Sequence, residues 1–191
     1  MGSPANAVHA GLAPSAWVQR WSHLVPAGAS VLDVACGSGR HVRWFAQHGC
    51  HVTGVDRDAA ALEPLRAATD SDAAELVVAD IESGPWPLPG RRFDVVIVTN
   101  YLWRDLLPTI AASVADGGVL IYETFADGNQ TVGKPSNPQF LLRPGELLGA
   151  VAGMRVVAFE DGFATDPERF IQRIVAVREP SAGAGPVRRR L

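Results

Sequence analysis

Three carboxylates, each at or beside the end of a short apolar run, are the residues of this 191-residue chain best placed to do chemistry. The first is Asp33, inside Val31-Leu32-Asp33-Val34-Ala35-Cys36-Gly37-Ser38-Gly39-Arg40. There an apolar run meets an acid, turns through two glycines and enters a helix-forming segment. A strand, tight loop and helix start of this kind aims backbone N–H groups at a ligand. An acid just ahead of the loop repels a pyrophosphate and attracts an ammonium group. The second is Asp56, which lies 23 residues after Asp33 and closes His51-Val52-Thr53-Gly54-Val55. An acid about 20 residues past a glycine loop, at the end of the second strand, accepts hydrogen bonds from ribose hydroxyls. Capping the next helix is the alternative role, although Asp58 is as well placed for it. The third is Asp80, after Leu76-Val77-Val78-Ala79. A carboxylate there can accept from an exocyclic adenine amine while the Ile81 N–H faces the ring.

Two other glycine-loop chemistries fail on named residues. The dinucleotide fingerprint would use Gly37 and Gly39, but its third position is Val42, too large for close helix–strand packing. A Walker A loop requires Gly-Lys-Ser/Thr, and the only lysine is Lys134. The expected ligand therefore joins a ribose to a cationic amino-acid end, and S-adenosylmethionine is the common metabolite of that description. The candidate cofactor-binding residues are Asp33, Ala35, Cys36, Gly37 and Gly39 in the first motif, with Asp56 and Arg57 after the second strand. Asp80 and Ile81 follow the third, and Asn100 the fourth. The cofactor's carboxylate needs a donor, for which bidentate geometry favours arginine. Arg20, beside Trp17 and Trp21, is one candidate and Arg40 a competing one; a solvated Arg20 is the third possibility.

These residues and their order resemble the class I S-adenosylmethionine-dependent methyltransferases over nearly the whole chain. The match includes the first motif, the ribose acid Asp56, the adenine acid Asp80, the fourth strand Phe93-Asp94-Val95-Val96-Ile97-Val98, and Asp116-Gly117-Gly118-Val119-Leu120-Ile121-Tyr122. Within the class the chain is most similar to small bacterial tellurite-resistance-like methyltransferases. Asn100-Tyr101-Leu102-Trp103-Arg104, Tyr122-Glu123-Thr124-Phe125 and Phe140-Leu141-Leu142-Arg143-Pro144-Gly145-Glu146-Leu147 carry that likeness. The family's D-x-G-x-G-x-G has Ala35 in place of its first glycine, which implies a tighter fit to the cofactor. The resemblance implies a Rossmann-like α/β fold, a mostly parallel seven-stranded sheet ending in an antiparallel hairpin, with helices on both faces.

Alternating apolar runs and helical segments point to the same β-α-β series. Strands are expected near 30–36, 51–55, 75–79, 93–98 and 117–123, with a hairpin from 154–160 and 170–177. Helices are expected near 39–48, 58–69, 104–114 and 144–151, with Pro64 kinking the second or delaying its start. Trp17, Trp21 and Leu24 mark an amphipathic helix over 15–24. The organisation read from this is an N-terminal helical extension (1–28), a cofactor-binding domain (29–179) and a disordered tail (180–191). The long loop 126–140 and the helix near 17–24 are expected to cover the cofactor.

A net charge of −3 provides no general attraction to nucleic acid. Two cysteines make no disulfide framework, no apolar run approaches the ~18 residues of a membrane span, and the first residues lack a signal peptide. A cytoplasmic protein is the expectation.

Methyl transfer from a sulfonium needs positioning more than acid–base groups. The acceptor should lie beyond the fourth and fifth strands, where Tyr101, Arg104 and Glu123 are the catalytic candidates. Tyr101 and Trp103 would wall an acceptor, or be core. Arg104 would bind an anion, or start a solvated helix. Glu123 would act as base, or hold the loop. The five histidines show no metal spacing, and no metal is expected. Asn100 is followed by Tyr101 and Leu102 rather than the prolines of the amino-methylating N-P-P-[YF] motif, which favours a small-molecule acceptor. A cofactor-binding sensor without turnover is the alternative, and a nicotinamide oxidoreductase is disfavoured by Val42 and Asp33.

Overall fold

The computed structural model describes residues 13–69 and 72–180. The expected tail beyond Pro180 and the first part of the N-terminal extension lie outside those residues. Seven strands form one sheet: β1 (Ser30–Val34), β2 (His51–Asp56), β3 (Ala74–Val78), β4 (Phe93–Thr99), β5 (Val114–Phe125), β6 (Arg155–Thr165) and β7 (Glu168–Val177). Their order is β3-β2-β1-β4-β5-β7-β6. The first five are parallel, and β7 runs antiparallel to both β5 and β6. The sheet expected from the sequence is therefore present. β1 and β4 read as near-continuous apolar runs because both of their faces are covered.

Side chains alternate between two packed layers. On one face Leu32, Val34, Val96, Val98, Leu120 and Tyr122 pack with residues of α4 (Leu107–Ala112) and α5 (Glu146–Ala150). On the other, Val31, Val95, Ile97, Val119 and Ile121 meet α1 (Ala16–Trp21), α2 (Arg40–Gln47) and α3 (Ala59–Ala68). Parity then assigns Asp33, Thr99 and Glu123 to this second face, at the C-terminal ends of their strands. After β1 the chain builds outward through β2 and β3, then returns to add β4 on the other side. The crevice at this reversal is where open α/β sheets bind ligands.

Six residues are too few for a helix to persist alone in water, so α1 depends on its packing. Trp17 and Trp21 are both buried, with ring centroids 5.6 Å apart in edge contact. The Ser15 side chain caps the helix by accepting from the Trp17 and Val18 N–H groups. The expected helix over 15–24 thus ends at Trp21 and continues as a 3-10 turn, Ser22–Leu24.

Other departures have local causes. The expected helix 104–114 opens with a 3-10 turn, Arg104–Leu106, before α4. Pro64 does not delay α3, because Asp58 accepts from Ala60 N and Ala61 N and starts the helix at Ala59. Leu62 and Leu65 are fully buried and hold the helix on either side of the exposed proline. The hairpin is longer than expected, because β6 and β7 stay paired to Thr165 and Glu168.

Candidate active site

The glycine loop closes on β2. Cys36 N–H donates to Val55 O at 3.0 Å, and Gly37 N–H donates to Asp56 Oδ2 at 2.7 Å. Ala35, Gly37 and Gly39 all hold positive φ, at 54°, 53° and 72°. The two glycines are needed for different reasons. A Cβ on Gly37 would meet nothing within 4 Å, so only its backbone conformation demands glycine. One on Gly39 would lie 2.1 Å from a Leu65 methyl in the core beneath the loop. Ala35 is an alanine in a conformation that costs an L-residue roughly 1–2 kcal/mol. Among the described residues only Asn100, at φ 56°, shares that feature without being glycine. Both sit at strand ends facing the crevice, where such strain concentrates in functional sites.

Asp56 accepts from Gly37 N–H with one oxygen and from Asp58 N–H, at 2.9 Å, with the other. Each oxygen keeps a further lone pair for a ligand hydroxyl. Capping of α3 falls to Asp58, as above. Asp80 organises its own turn, accepting from Ser83 Oγ at 2.5 Å and from the Glu82 and Ser83 N–H groups. The Ser83 hydroxyl, then those two N–H donors, hold its carboxyl below the usual carboxylate range. Burial raises the Cys36 thiol far above its ordinary value, with Asp33 and Asp56 adding to the effect, so Cys36 is a packed neutral thiol.

Ala35, Asp56, Arg57, Ala79, Asp80, Ile81, Glu82 and Tyr101 line a cavity of about 170 Å³. Arg57 and Glu82 approach to 3.6 Å, linking the two loops that follow β2 and β3. The lining suits a nucleoside: carboxylates for hydroxyls and an exocyclic amine, with Ala79, Ile81 and the Tyr101 ring as flat apolar walls. Tyr101, expected beside an acceptor, instead shares this cavity with Asp56 and Asp80. Burial, and then the Glu82 carboxylate, push its hydroxyl well above the ordinary tyrosine range. The phenol is therefore a wall, and a poor proton acceptor.

Two arginine expectations are corrected. Arg104 is not free to bind an anionic acceptor. It grips Glu146 with Nε and Nη2 at 2.7 and 2.9 Å, and donates to Gln139 O and Leu141 O at 2.7 and 2.8 Å. It fastens the 126–142 segment to the end of β4. Arg20 faces the opposite edge of the sheet, where it pairs with Glu160 on β6 at 3.1 Å and lies over the rings of Trp17 and Trp21. The indoles bury one side of the guanidinium against the helix and Glu160 takes the charge. Three strands separate β6 from β1, so Arg20 does not reach the glycine loop. Arg40 does stand at the crevice, with Nη2 3.2 Å from Thr99 Oγ1.

Glu123 and Asp33 are 3% and 1% exposed. Ser15, just before α1, lies between them: its hydroxyl donates to Glu123 Oε1, and its N–H donates to His41 Nε2 at 3.1 Å. His41 Nδ1 is 3.7 Å from Asp33 Oδ2. Serine before an amphipathic helix is a readable cap. Its bond to a residue 108 positions away has no sequence signal, and Glu82 carried none either.

Residues 31–118 match the family model described as a methyltransferase domain. Just under half of the chain is therefore similar to a methyltransferase domain. Its fold recurs in an S-adenosylmethionine-dependent methyltransferase from Mesorhizobium loti, at a TM-score of 0.68 and 19% identity, covering 86% of this chain and 99% of that one. It recurs also in a TehB-like methyltransferase from Corynebacterium glutamicum, at 0.65 and 19%, covering 92% and 94%. A malonyl-[acyl-carrier protein] O-methyltransferase of Pectobacterium atrosepticum is 34% identical over 119 residues, 58% of this chain and 45% of its own length. The chain thus spans under half of that relative. Among the described residues no three His, Cys, Asp or Glu side chains group to hold a metal, and no helix is long and apolar enough to cross a membrane.

Proposed function

We propose that this chain is an S-adenosylmethionine-dependent methyltransferase acting on a small-molecule acceptor. The observation that carries the reading is the convergence of Ala35, Asp56, Asp80 and Tyr101 on one cavity at the strand reversal. Bound there, the cofactor supplies a sulfonium methyl group that is activated for in-line displacement. Asp56 accepts from the ribose hydroxyls, and Asp80 with the Ile81 N–H reads the adenine edge. Cys36, Gly37 and Gly39 keep the loop low enough for the cofactor to lie on it, and Arg57 with Glu82 flanks the opening. Asp33 faces the cationic end, Arg40 takes the carboxylate role expected of Arg20, and Asn100 presents its strained backbone beside them. The acceptor approaches from the ends of β4 and β5, and the start of α1 excludes water from that side. Arg104 holds the wall on which the acceptor packs rather than touching it.

Calorimetry with S-adenosylmethionine, S-adenosylhomocysteine and NAD tests the cofactor. The first two bind and the third does not; the reverse would return the nicotinamide reading. Asp56→Ala should weaken S-adenosylhomocysteine at least tenfold, since charge-assisted bonds to two hydroxyls are lost. Unchanged affinity in a folded variant would remove the ribose role. Labelled methyl transfer to a small-molecule library then separates an enzyme from a sensor that binds without turnover.

A further inference from the structure

We propose that Glu123, together with Asp33, forms a buried site for a protonated amine beneath the start of α1. Asp33 was read above as the partner of a cationic end; Glu123 is the new element. Glu123 Oε2 and Asp33 Oδ2 are both buried and have no hydrogen-bond partner among the described residues. Among the described residues no arginine or lysine pairs with either carboxylate. Ser15 supplies a neutral hydroxyl to Glu123 Oε1. His41 accepts at Nε2 from the Ser15 N–H, and its Nδ1 stays 3.7 Å from Asp33 Oδ2, beyond hydrogen-bond distance. Arg173, opposite Glu123 in the β5–β7 register, is drawn away by Glu160, to which its Nε donates at 2.7 Å. Arg40 donates to Thr99, the β4 neighbour of Glu123 in register. A buried carboxylate oxygen left without a donor is costly, and the cost is recovered when a cation docks on it. A carboxylate only accepts and an ammonium only donates, three times over, so the two chemistries match.

The inference deepens the methyltransferase reading and rests on it for the source of the amine. That source is either the methionine ammonium of the cofactor or an amino group on the acceptor. Calorimetry on the full chain separates them. S-adenosylhomocysteine carries the ammonium, whereas 5′-methylthioadenosine has the same nucleoside without it. If the cofactor is the source, Glu123→Gln weakens S-adenosylhomocysteine at least tenfold and leaves 5′-methylthioadenosine within twofold. If the acceptor is the source, the wild-type protein saturated with S-adenosylhomocysteine binds butylammonium but not butyrate, and Glu123→Gln abolishes this. Asp33→Asn, assayed the same way, should show the same selective loss and guards against one variant failing to fold. Equal losses for both nucleosides, or no change in any arm, would overturn the proposal. Failure of the wild-type protein to bind either nucleoside would refute the cofactor reading, and butylammonium binding by the free protein then decides the Glu123 site separately.

Discussion

Replacing Arg104 with alanine decides between a residue that binds substrate and one that holds the fold. Its guanidinium makes four hydrogen bonds, two to the Glu146 carboxylate and one each to Gln139 O and Leu141 O. The side chains of Arg104 and Glu146 are 30% and 19% exposed. Breaking a fully buried pair costs about 3–5 kcal/mol, and an exposed pair about 0–1 kcal/mol. Partial exposure and the two orphaned carbonyls place Arg104→Ala at about 2.5 kcal/mol. For a domain of this size that lowers the Tm by roughly 5–10 °C. Burial pushes the Glu146 carboxyl up, but the Arg104 hydrogen bonds outweigh it and leave the group below its ordinary value. The pair's stabilisation is therefore complete above about pH 4.3, the unfolded value, and is lost as pH falls through the lowered folded value. Thermal unfolding of both proteins should show a constant gap from pH 7 to pH 5 that narrows in stronger acid. S-adenosylhomocysteine affinity should stay within twofold. A Tm within 1 °C of wild type, with a large loss of acceptor affinity, would refute the clamp and restore the anion-binding role.

Two further outcomes follow from the loop geometry. Ala35→Gly relieves left-handed strain but adds chain entropy to the unfolded state, so a net gain of about 0.5 kcal/mol is expected, read as a small rise in Tm. A fall of more than 2 °C would mean that the alanine methyl packs productively. Gly39→Ala should cost about 3 kcal/mol from left-handed strain plus overlap with Leu65, whereas Gly37→Ala should cost about 1 kcal/mol from strain alone. Equal losses in urea unfolding would show that the Leu65 contact does not set the need for glycine at position 39.

The features legible in the sequence are those fixed within one strand–turn–helix unit. The order of elements, the glycine loop, and the acids Asp56 and Asp80 follow from short-range pattern. Each is set by the period of a strand or the φ demanded by a turn, and a parallel sheet then brings successive strand ends to one crevice. The split of 104–114, the start of α3 ahead of Pro64 and the reach of the hairpin are local energies outvoted by caps, burial and cross-strand pairing. Arginine partners were not legible at all. Arg20 and Arg104 stand at sensible places in the sequence, yet each long side chain goes where a carboxylate and carbonyls, 140 and 35–42 residues away, give it the most bonds. The same holds for Tyr101, carried into the cavity beside Asp56 and Asp80, and for Glu123, buried under Ser15 from 108 residues away. Hydrogen-bond and charge satisfaction of buried polar groups is decided by what folding brings within about 3 Å, and sequence spacing holds no record of it.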